Sequence, residues 1–173
     1  MISLRRLNDD VFYADGGIVQ LGREEICFVR ERAASSPRGR ARICVHLDPL
    51  DQLHEMLIAL SRGGYVRPHK HRGREESFHA VDGEADVVIF DDNGGVENVI
   101  HMGTSDEHTR IYRLNKPRFH TVLVRSACFI VHEVTRGPFD SNTTVFPPWA
   151  PPEDDVLGIA AFLADVDARL EEM

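Results

Sequence analysis

Histidine and carboxylate residues gather in the glycine-bounded stretch of residues 63–83. His69 and His71 are two residues apart, so both imidazoles point to the same face if this segment is a strand. A short polar loop follows, and it returns a carboxylate, Glu75 or Glu76, to the same neighbourhood. Two imidazoles and one carboxylate suit a divalent transition metal ion that keeps open coordination positions. A further ligand must come from another part of the chain.

The order and spacing of these residues resemble the first motif of the cupin superfamily. The matching pattern is Gly63-x5-His69-x-His71-x4-Glu76-x6-Gly83. The resemblance favours Glu76 over Glu75 as the ligand, because Glu76 stands at the acidic position of the motif.

A second cupin motif normally supplies one more histidine after a proline-containing turn. Residues 114–120, Leu-Asn-Lys-Pro-Arg-Phe-His, are the best match, and the resemblance implies His120 as a ligand. The usual Pro-x-Gly-x-x-His is here Pro-x-x-His, and Val124 stands where the family has an asparagine. These departures concern the geometry of the turn more than the identity of the ligand.

Four segments within about residues 40–155 narrow the resemblance to the WbuC family of cupin-fold metalloproteins. The order of the four segments along the chain is more specific to this family than any single segment. They are Tyr65-Val66-Arg67-Pro68-His69-Lys70-His71, Phe90-Asp91-Asp92-Asn93-Gly94, Glu133-Val134-Thr135-Arg136-Gly137-Pro138-Phe139 and Trp149-Ala150-Pro151-Pro152-Glu153. Members of this family are bacterial and often encoded beside genes for O-antigen or other surface polysaccharide synthesis. The resemblance implies a metal site but no established reaction.

Many short apolar segments with turn signals between them predict a mainly β protein, an antiparallel barrel or sandwich. With the resemblance, the predicted fold is a single cupin barrel, a jelly roll, with an N-terminal helical extension and a C-terminal helix. We expect the extension at residues 1–45, the barrel at 46–139, and a proline-rich strap with the last helix at 140–173. Together they form one structural domain.

Helical spacing appears near both ends of the chain. Ile26, Val29 and Ala33 repeat at helical intervals after acidic residues, and Ser35-Ser36-Pro37 ends the pattern. After the strap, the acidic run at 153–155 opens a second helix with an apolar stripe. Trp149 is expected to anchor the strap to the barrel.

Two turns set the predicted strand register. Asp82-Gly83 predicts a two-residue hairpin between strands 78–81 and 84–90, since glycine supplies positive φ. Strands at 119–124 and 128–134 are predicted to form another hairpin through Arg125-Ser126.

In that second hairpin, His120 pairs with Val131. Glu133 then shares the face of His120 and serves as an acid, a base or a supporting carboxylate, with a structural salt bridge as the alternative. His132 points outward, although a slip of one residue exchanges the two roles. His79 is predicted on the outer face, and His46 and His54 as surface or satisfied polar residues.

The composition indicates a soluble globular protein. The chain has 173 residues and a net charge of -8, from 20 basic and 28 acidic side chains, which argues against nucleic acid as a main partner. Three widely spaced cysteines suit a reducing compartment. Without a secretory or membrane signal, we expect a cytoplasmic protein that binds a small molecule, contacts no membrane and, from the cupin resemblance, forms a homodimer.

The ligand set predicts the chemistry only in part. Three imidazoles and one carboxylate without thiolate argue against a closed structural zinc site and accommodate one Fe, Mn, Ni, Co or Zn ion. One hypothesis is a metalloenzyme acting on a small polar molecule such as a sugar derivative, and another is a noncatalytic small-molecule or metal sensor. A third is a barrel that no longer binds metal. Residues near the ligands that could bind substrate are Tyr65, Arg67, Lys70 and Arg118.

Overall fold

The computed structural model describes residues 1–173 and contains twelve strands and two α-helices. The helices are α1 (Arg23–Ser35) and α2 (Val156–Glu171), with a short 3-10 helix at Ser141–Thr143. The strands are β1 (Leu4–Arg6), β2 (Val11–Ala14), β3 (Arg40–Cys44), β4 (Leu53–Ser61), β5 (Lys70–His71), β6 (Glu76–Asp82), β7 (Glu84–Phe90), β8 (Val96–Gly103), β9 (Ile111–Leu114), β10 (Phe119–Val124), β11 (Cys128–Arg136) and β12 (Thr144–Val145).

Two sheets enclose the core of the barrel. The larger has the strand order β1-β2-β3-β4-β11-β6-β9, the smaller has β10-β7-β8, and β12 pairs with β5. All pairs are antiparallel except β2 with β3. Phe78 and Phe129 of the larger sheet share one buried cluster with Val87 and Val122 of the smaller. This arrangement confirms the predicted mainly β jelly-roll fold.

Each helix covers the outer face of one sheet. On the larger sheet, Val29 and Ala33 of α1 are fully buried against Ile43 and Leu57. The last helix packs Val166 against the smaller sheet, in a cluster that includes Val88 and Phe90. Neither helix is long and apolar enough to cross a membrane.

Trp149 holds the strap against the smaller sheet, as the sequence predicts. Its ring centroid lies 5.2 Å from that of Phe90 and 6.2 Å from that of Phe162 on α2. The indole N–H donates to the carbonyl oxygen of Asp92 at 3.1 Å. The strap therefore passes between the barrel and the last helix at a fixed point.

Both predicted hairpins are wrong, because the strands on either side of each turn belong to different sheets. Gly83 carries the chain from β6 in the larger sheet to β7 in the smaller, so Asp82-Gly83 forms a corner. Likewise, β10 pairs with β7 and β11 with β4 and β6. His120 consequently pairs with Ile89 rather than with Val131.

Candidate metal centre

Three imidazoles converge at one end of the barrel. His69, His71 and His120 each offer one nitrogen, and these three atoms lie within 4.8 Å of one another. His71 belongs to β5 and His120 to β10, and an isolated bridge joins His69 to His120 through backbone hydrogen bonds of 3.1 and 3.0 Å. This bridge fixes the first motif against the second. The two histidine motifs therefore meet in space as the sequence predicts.

Glu76 places a carboxylate beside the histidines. It is only 3% exposed on β6, and its Oε1 lies 2.8 Å from His120 Nε2. Its Oε2 lies 3.5 Å from His71 Nε2, and the Tyr112 hydroxyl donates to Oε1 at 3.4 Å. The contact recorded for Glu75 uses its backbone carbonyl, which accepts from the Thr135 hydroxyl at 2.9 Å. The structure thus brings Glu76 to the histidines.

Backbone carbonyls orient two of the three imidazoles. The Nδ1 atom of His69 lies 2.8 Å from the Arg67 carbonyl oxygen, and that of His120 lies 3.0 Å from the Arg118 carbonyl oxygen. A carbonyl oxygen only accepts, so each Nδ1 carries a proton and donates it. The Nε2 atoms are then directed to the centre, which is how ligand histidines are usually held.

The buried charges of the site form an ion pair between Glu76 and His120, beside two neutral imidazoles. Burial lowers the pKa of His69 to about 3 and that of His71 to about 4, so both are neutral at pH 7. Burial alone would raise the pKa of Glu76, but the adjacent His120 outweighs it and lowers this pKa well below the usual range. In the same pair, burial lowers the pKa of His120, and the attraction of Glu76 outweighs it and raises this pKa.

Glu133 lies on the inner face of the barrel, as predicted, although by a different register. It pairs with Phe78 of β6 and Met56 of β4. Burial and then the charge of Glu76 raise the pKa of Glu133 to about 7, against the opposing effect of Arg42. A carboxyl group with this pKa can both accept and donate a proton near neutrality.

His132 and His79 point away from the site, as predicted, although the hairpin register from which the direction of His132 was predicted is wrong. Their Nδ1 atoms lie 3.4 Å apart across β11 and β6, and His132 Nε2 lies 3.6 Å from a carboxylate oxygen of Glu55. His46 and His54 are also outside the site. Both are buried, and their rings stack with centroids 3.9 Å apart.

The four predicted substrate-binding residues all have partners within the protein. Their contacts join them to the strap, to the loop at Asp92 and to strand β8, so a substrate role for any of them stays a prediction. The contacts are Tyr65 hydroxyl to the Pro151 carbonyl (2.9 Å), Arg67 to the Ala150 carbonyl (3.1 Å), Lys70 Nζ to Asp92 (2.7 Å) and Arg118 Nε to Glu97 (3.4 Å).

Three residues that contact the ligands are not predicted from the sequence. Tyr112 reaches Glu76 from β9, whereas Arg74 and Thr144 both reach Nδ1 of His71, at 2.9 and 3.2 Å. The position of Arg74, between His71 and Glu76 in the motif loop, is the one sequence signal that could have identified it. Thr144 gave no such signal, because its contact depends on the pairing of β12 with β5.

The donor set fits a divalent transition metal ion. Imidazole nitrogens and a buried carboxylate are ligands that Fe, Mn, Ni, Co and Zn accept, and a four-residue set leaves coordination positions open. The centre also has supporting hydrogen bonds to two imidazoles and to the carboxylate, as metal sites in proteins do. The residues present would therefore hold such an ion.

Comparison with protein families gives one match, to a domain of unknown function, DUF6016, over residues 21–102. Comparison with curated proteins gives no match. The matched region contains the first histidine motif but ends before His120.

Solved structures with a similar fold include protein SO0799 from Shewanella oneidensis and an oxalate oxidase in complex with glycolate. The first is 10% identical, with a TM-score of 0.49, and the alignment covers 59% of this chain and 66% of that one. The second is 15% identical, with a TM-score of 0.49, and the alignment covers 65% and 57%. An oxalate decarboxylase of Bacillus subtilis with Mn(II) centres is 13% identical, with a TM-score of 0.45 and coverage of 56% and 24%. The chain thus spans less than two thirds of each of these proteins, and the fold assignment rests on its own strand pairing.

Proposed function

We propose that this protein binds one divalent transition metal ion through His69, His71, His120 and Glu76 and uses it to bind or transform a small polar molecule. The observation that supports this proposal is the convergence of three imidazoles on one buried carboxylate, with nitrogen donors within 4.8 Å of one another. Imidazole and carboxylate groups are both ligands that such an ion accepts, so one cation can bind all four residues.

The residues around the ligands suit proton transfer. A bound ion would supply Lewis-acid polarisation of a hydroxyl or carbonyl group and would lower the pKa of a water molecule. Glu133, with its pKa of about 7, can take a proton from the substrate at a carboxylate oxygen and return it later. Tyr112 stays protonated, because burial and then Glu76 raise its pKa, so its hydroxyl can donate to Glu76 throughout.

The finer assignment is membership of the WbuC family, with a sugar derivative as the substrate and a link to surface polysaccharide synthesis. It is supported by the order of the four sequence segments given above. A cytoplasmic location and a homodimeric state belong to the same proposal.

The second candidate, a noncatalytic sensor, is favoured by the strap. Thr144 touches His71, and the ring of Phe146 lies 6.3 Å from that of His69. A segment that lies directly on the ligands limits the space for a substrate and suits a protein that reports metal or ligand binding.

Elemental analysis of the untagged protein tests the metal site. We expect about one equivalent of a transition metal in the wild type, the loss of that metal in His71→Ala, and its retention in the control His108→Ala. His108 lies in a loop, where its Nδ1 contacts Ser105. Wild-type protein that takes up no metal even after reconstitution would favour the third hypothesis, a barrel that no longer binds metal.

A metabolite screen with the metal-loaded protein separates enzyme from sensor. Product formation that is abolished in Glu133→Gln, with metal content unchanged, is the result expected of the enzyme. Saturable binding of a small molecule without any product is the result expected of the sensor.

A further inference from the structure

His71 differs from the other two ligand histidines in the partner of its Nδ1 atom. Nδ1 of His69 and of His120 faces a carbonyl oxygen, whereas Nδ1 of His71 faces Nη2 of Arg74 at 2.9 Å. A guanidinium group only donates hydrogen bonds, so it requires an acceptor at this position. Nδ1 of His71 is therefore unprotonated in this arrangement, and the neutral ring carries its proton on Nε2.

The proton on Nε2 faces the metal centre. Nε2 of His71 lies 3.5 Å from Oε2 of Glu76, which is an acceptor for that proton. A metal ligand must instead present a lone pair, so this tautomer of His71 cannot bind an ion through Nε2. Among the three imidazoles, His71 is the one whose Nδ1 partner favours the tautomer with its proton on Nε2.

Thr144 offers an alternative partner for His71. Its Oγ1 lies 3.2 Å from Nδ1 of His71 and 3.3 Å from Nη2 of Arg74. A hydroxyl group can accept as well as donate, so it can receive a proton from Nδ1. The backbone pairing of Thr144 with His71, between β12 and β5, keeps this oxygen in place.

We propose that Arg74 and Thr144 are positioning residues with opposite effects on metal binding: Arg74 holds His71 in the tautomer that cannot bind, and Thr144 holds it in the tautomer that can. When a metal binds, the ring proton would leave Nε2 and stand on Nδ1, where it forms a hydrogen bond to Thr144 Oγ1. The hydrogen bond from Arg74 to Nδ1 is then lost. No proton is gained or lost by His71 in this exchange. The inference rests on the proposed function, since it concerns the same site.

Zn(II) affinity, measured by competition with a chromophoric chelator, tests both effects. We expect Arg74→Met to tighten Zn(II) binding and Thr144→Val to weaken it, each by about tenfold, the scale of supporting hydrogen bonds to metal ligands. Arg72→Met is the matched control, because it removes the same charge from an exposed side chain of the same loop. It therefore measures the effect of removing one positive charge from this loop without removing the contact to His71.

Three results would overturn the inference. They are unchanged or weaker Zn(II) binding in Arg74→Met, an equal gain in Arg72→Met, and unchanged or tighter binding in Thr144→Val. If wild-type protein binds no Zn(II) or any other transition metal, the proposed function fails instead, and that outcome is visible before any variant is compared.

The tautomer itself can be measured in the wild-type protein, without relying on any variant to fold. Long-range 1H–15N correlation spectra distinguish a protonated Nδ1 from a protonated Nε2. We expect Nε2 of His71 to be protonated in the metal-free protein and Nδ1 after addition of Zn(II). A protonated Nδ1 in the metal-free protein would contradict the inference, even if metal binds.

Discussion

His46 and His54 form a buried, stacked pair outside the candidate site. Their rings stack with an interplanar angle of 9°, and they are 7% and 4% exposed. From the sequence they are predicted as surface or satisfied polar residues, because neither histidine belongs to a paired motif. Burial lowers the pKa of His46, since an imidazolium would lose its hydration there and gain no carboxylate within hydrogen-bonding distance.

The pKa of His46 predicts a pH-dependent stability. In the unfolded chain His46 takes up a proton near pH 6.5, the ordinary value for histidine, whereas in the folded chain it stays neutral to lower pH. The unfolded state therefore binds more protons in this window, and the free energy of unfolding falls as the pH drops below about 6.5. We expect a shallower fall in His46→Phe, which keeps a ring for stacking with His54.

Urea denaturation of the wild type and of His46→Phe at several pH values between about 7 and 5 measures this difference. Chelator is present throughout, so that metal binding does not contribute. Buried His69 and His71 act in the same direction in both proteins, and the comparison cancels them. Parallel pH profiles of the two proteins would contradict the prediction.

At the scale of elements, Gly83 forms the corner between the two sheets. Its φ is +76°, and a Cβ atom added there would lie 2.1 Å from the carbonyl oxygen of Cys128 and 2.6 Å from Ser126 Oγ. Glycine is required for two reasons, namely its positive φ and the close approach of β11.

The effects of positive φ and of the close approach of β11 can be separated by replacing Gly83 and a second glycine, Gly63, by alanine in turn. Gly63 has a φ of +82° but no atom within 4 Å of an added Cβ. We expect Gly63→Ala to cost about 1 kcal/mol of unfolding free energy, from backbone strain alone. Gly83→Ala should cost about 3 kcal/mol or more, because steric overlap with β11 adds to that strain. Equal losses in urea denaturation would show that the corner relaxes without cost.

The same corner shows which features of the fold can be predicted from sequence. Turn residues and strand alternation are local, so the sequence indicates a reversal at Gly83 and a shared face for His69 and His71. Which strands become partners is decided by packing between distant segments. The Asp-Gly signal is equally compatible with a hairpin and with a corner, and here the strands on either side join different sheets.

In the candidate site, too, some features can be predicted from the sequence and others cannot. His69, His71, Glu76 and His120 follow from motif spacing, and the structure brings them together. Their supporting contacts depend on side-chain packing between segments, so the sequence could not predict the hydrogen bond of Arg74 to His71. Lys70 and Arg118 are predicted from the sequence to bind substrate. In the structure Lys70 contacts Asp92 in a loop, and Arg118 contacts Glu97 on β8.

At the scale of the whole molecule, one of the two edges of the larger sheet bears on assembly. Strand β9 ends that sheet, pairs with β6 on one side and leaves its other side without a strand partner. Ile111 on this strand is 62% exposed. An unpaired edge with an exposed apolar side chain is a surface that proteins usually cover or pair.

We therefore predict a homodimer that uses this edge. Light scattering coupled to size exclusion should give twice the chain mass of 19.5 kDa for the wild type. Ile111→Lys should shift the protein toward the monomer, because a charged side chain at an edge strand opposes pairing. Leu157→Lys is the control, since Leu157 is 84% exposed on α2, away from this edge. A wild type that is monomeric at all concentrations would refute the dimer, whereas a dimer unaffected by Ile111→Lys would place its interface on another surface of the barrel.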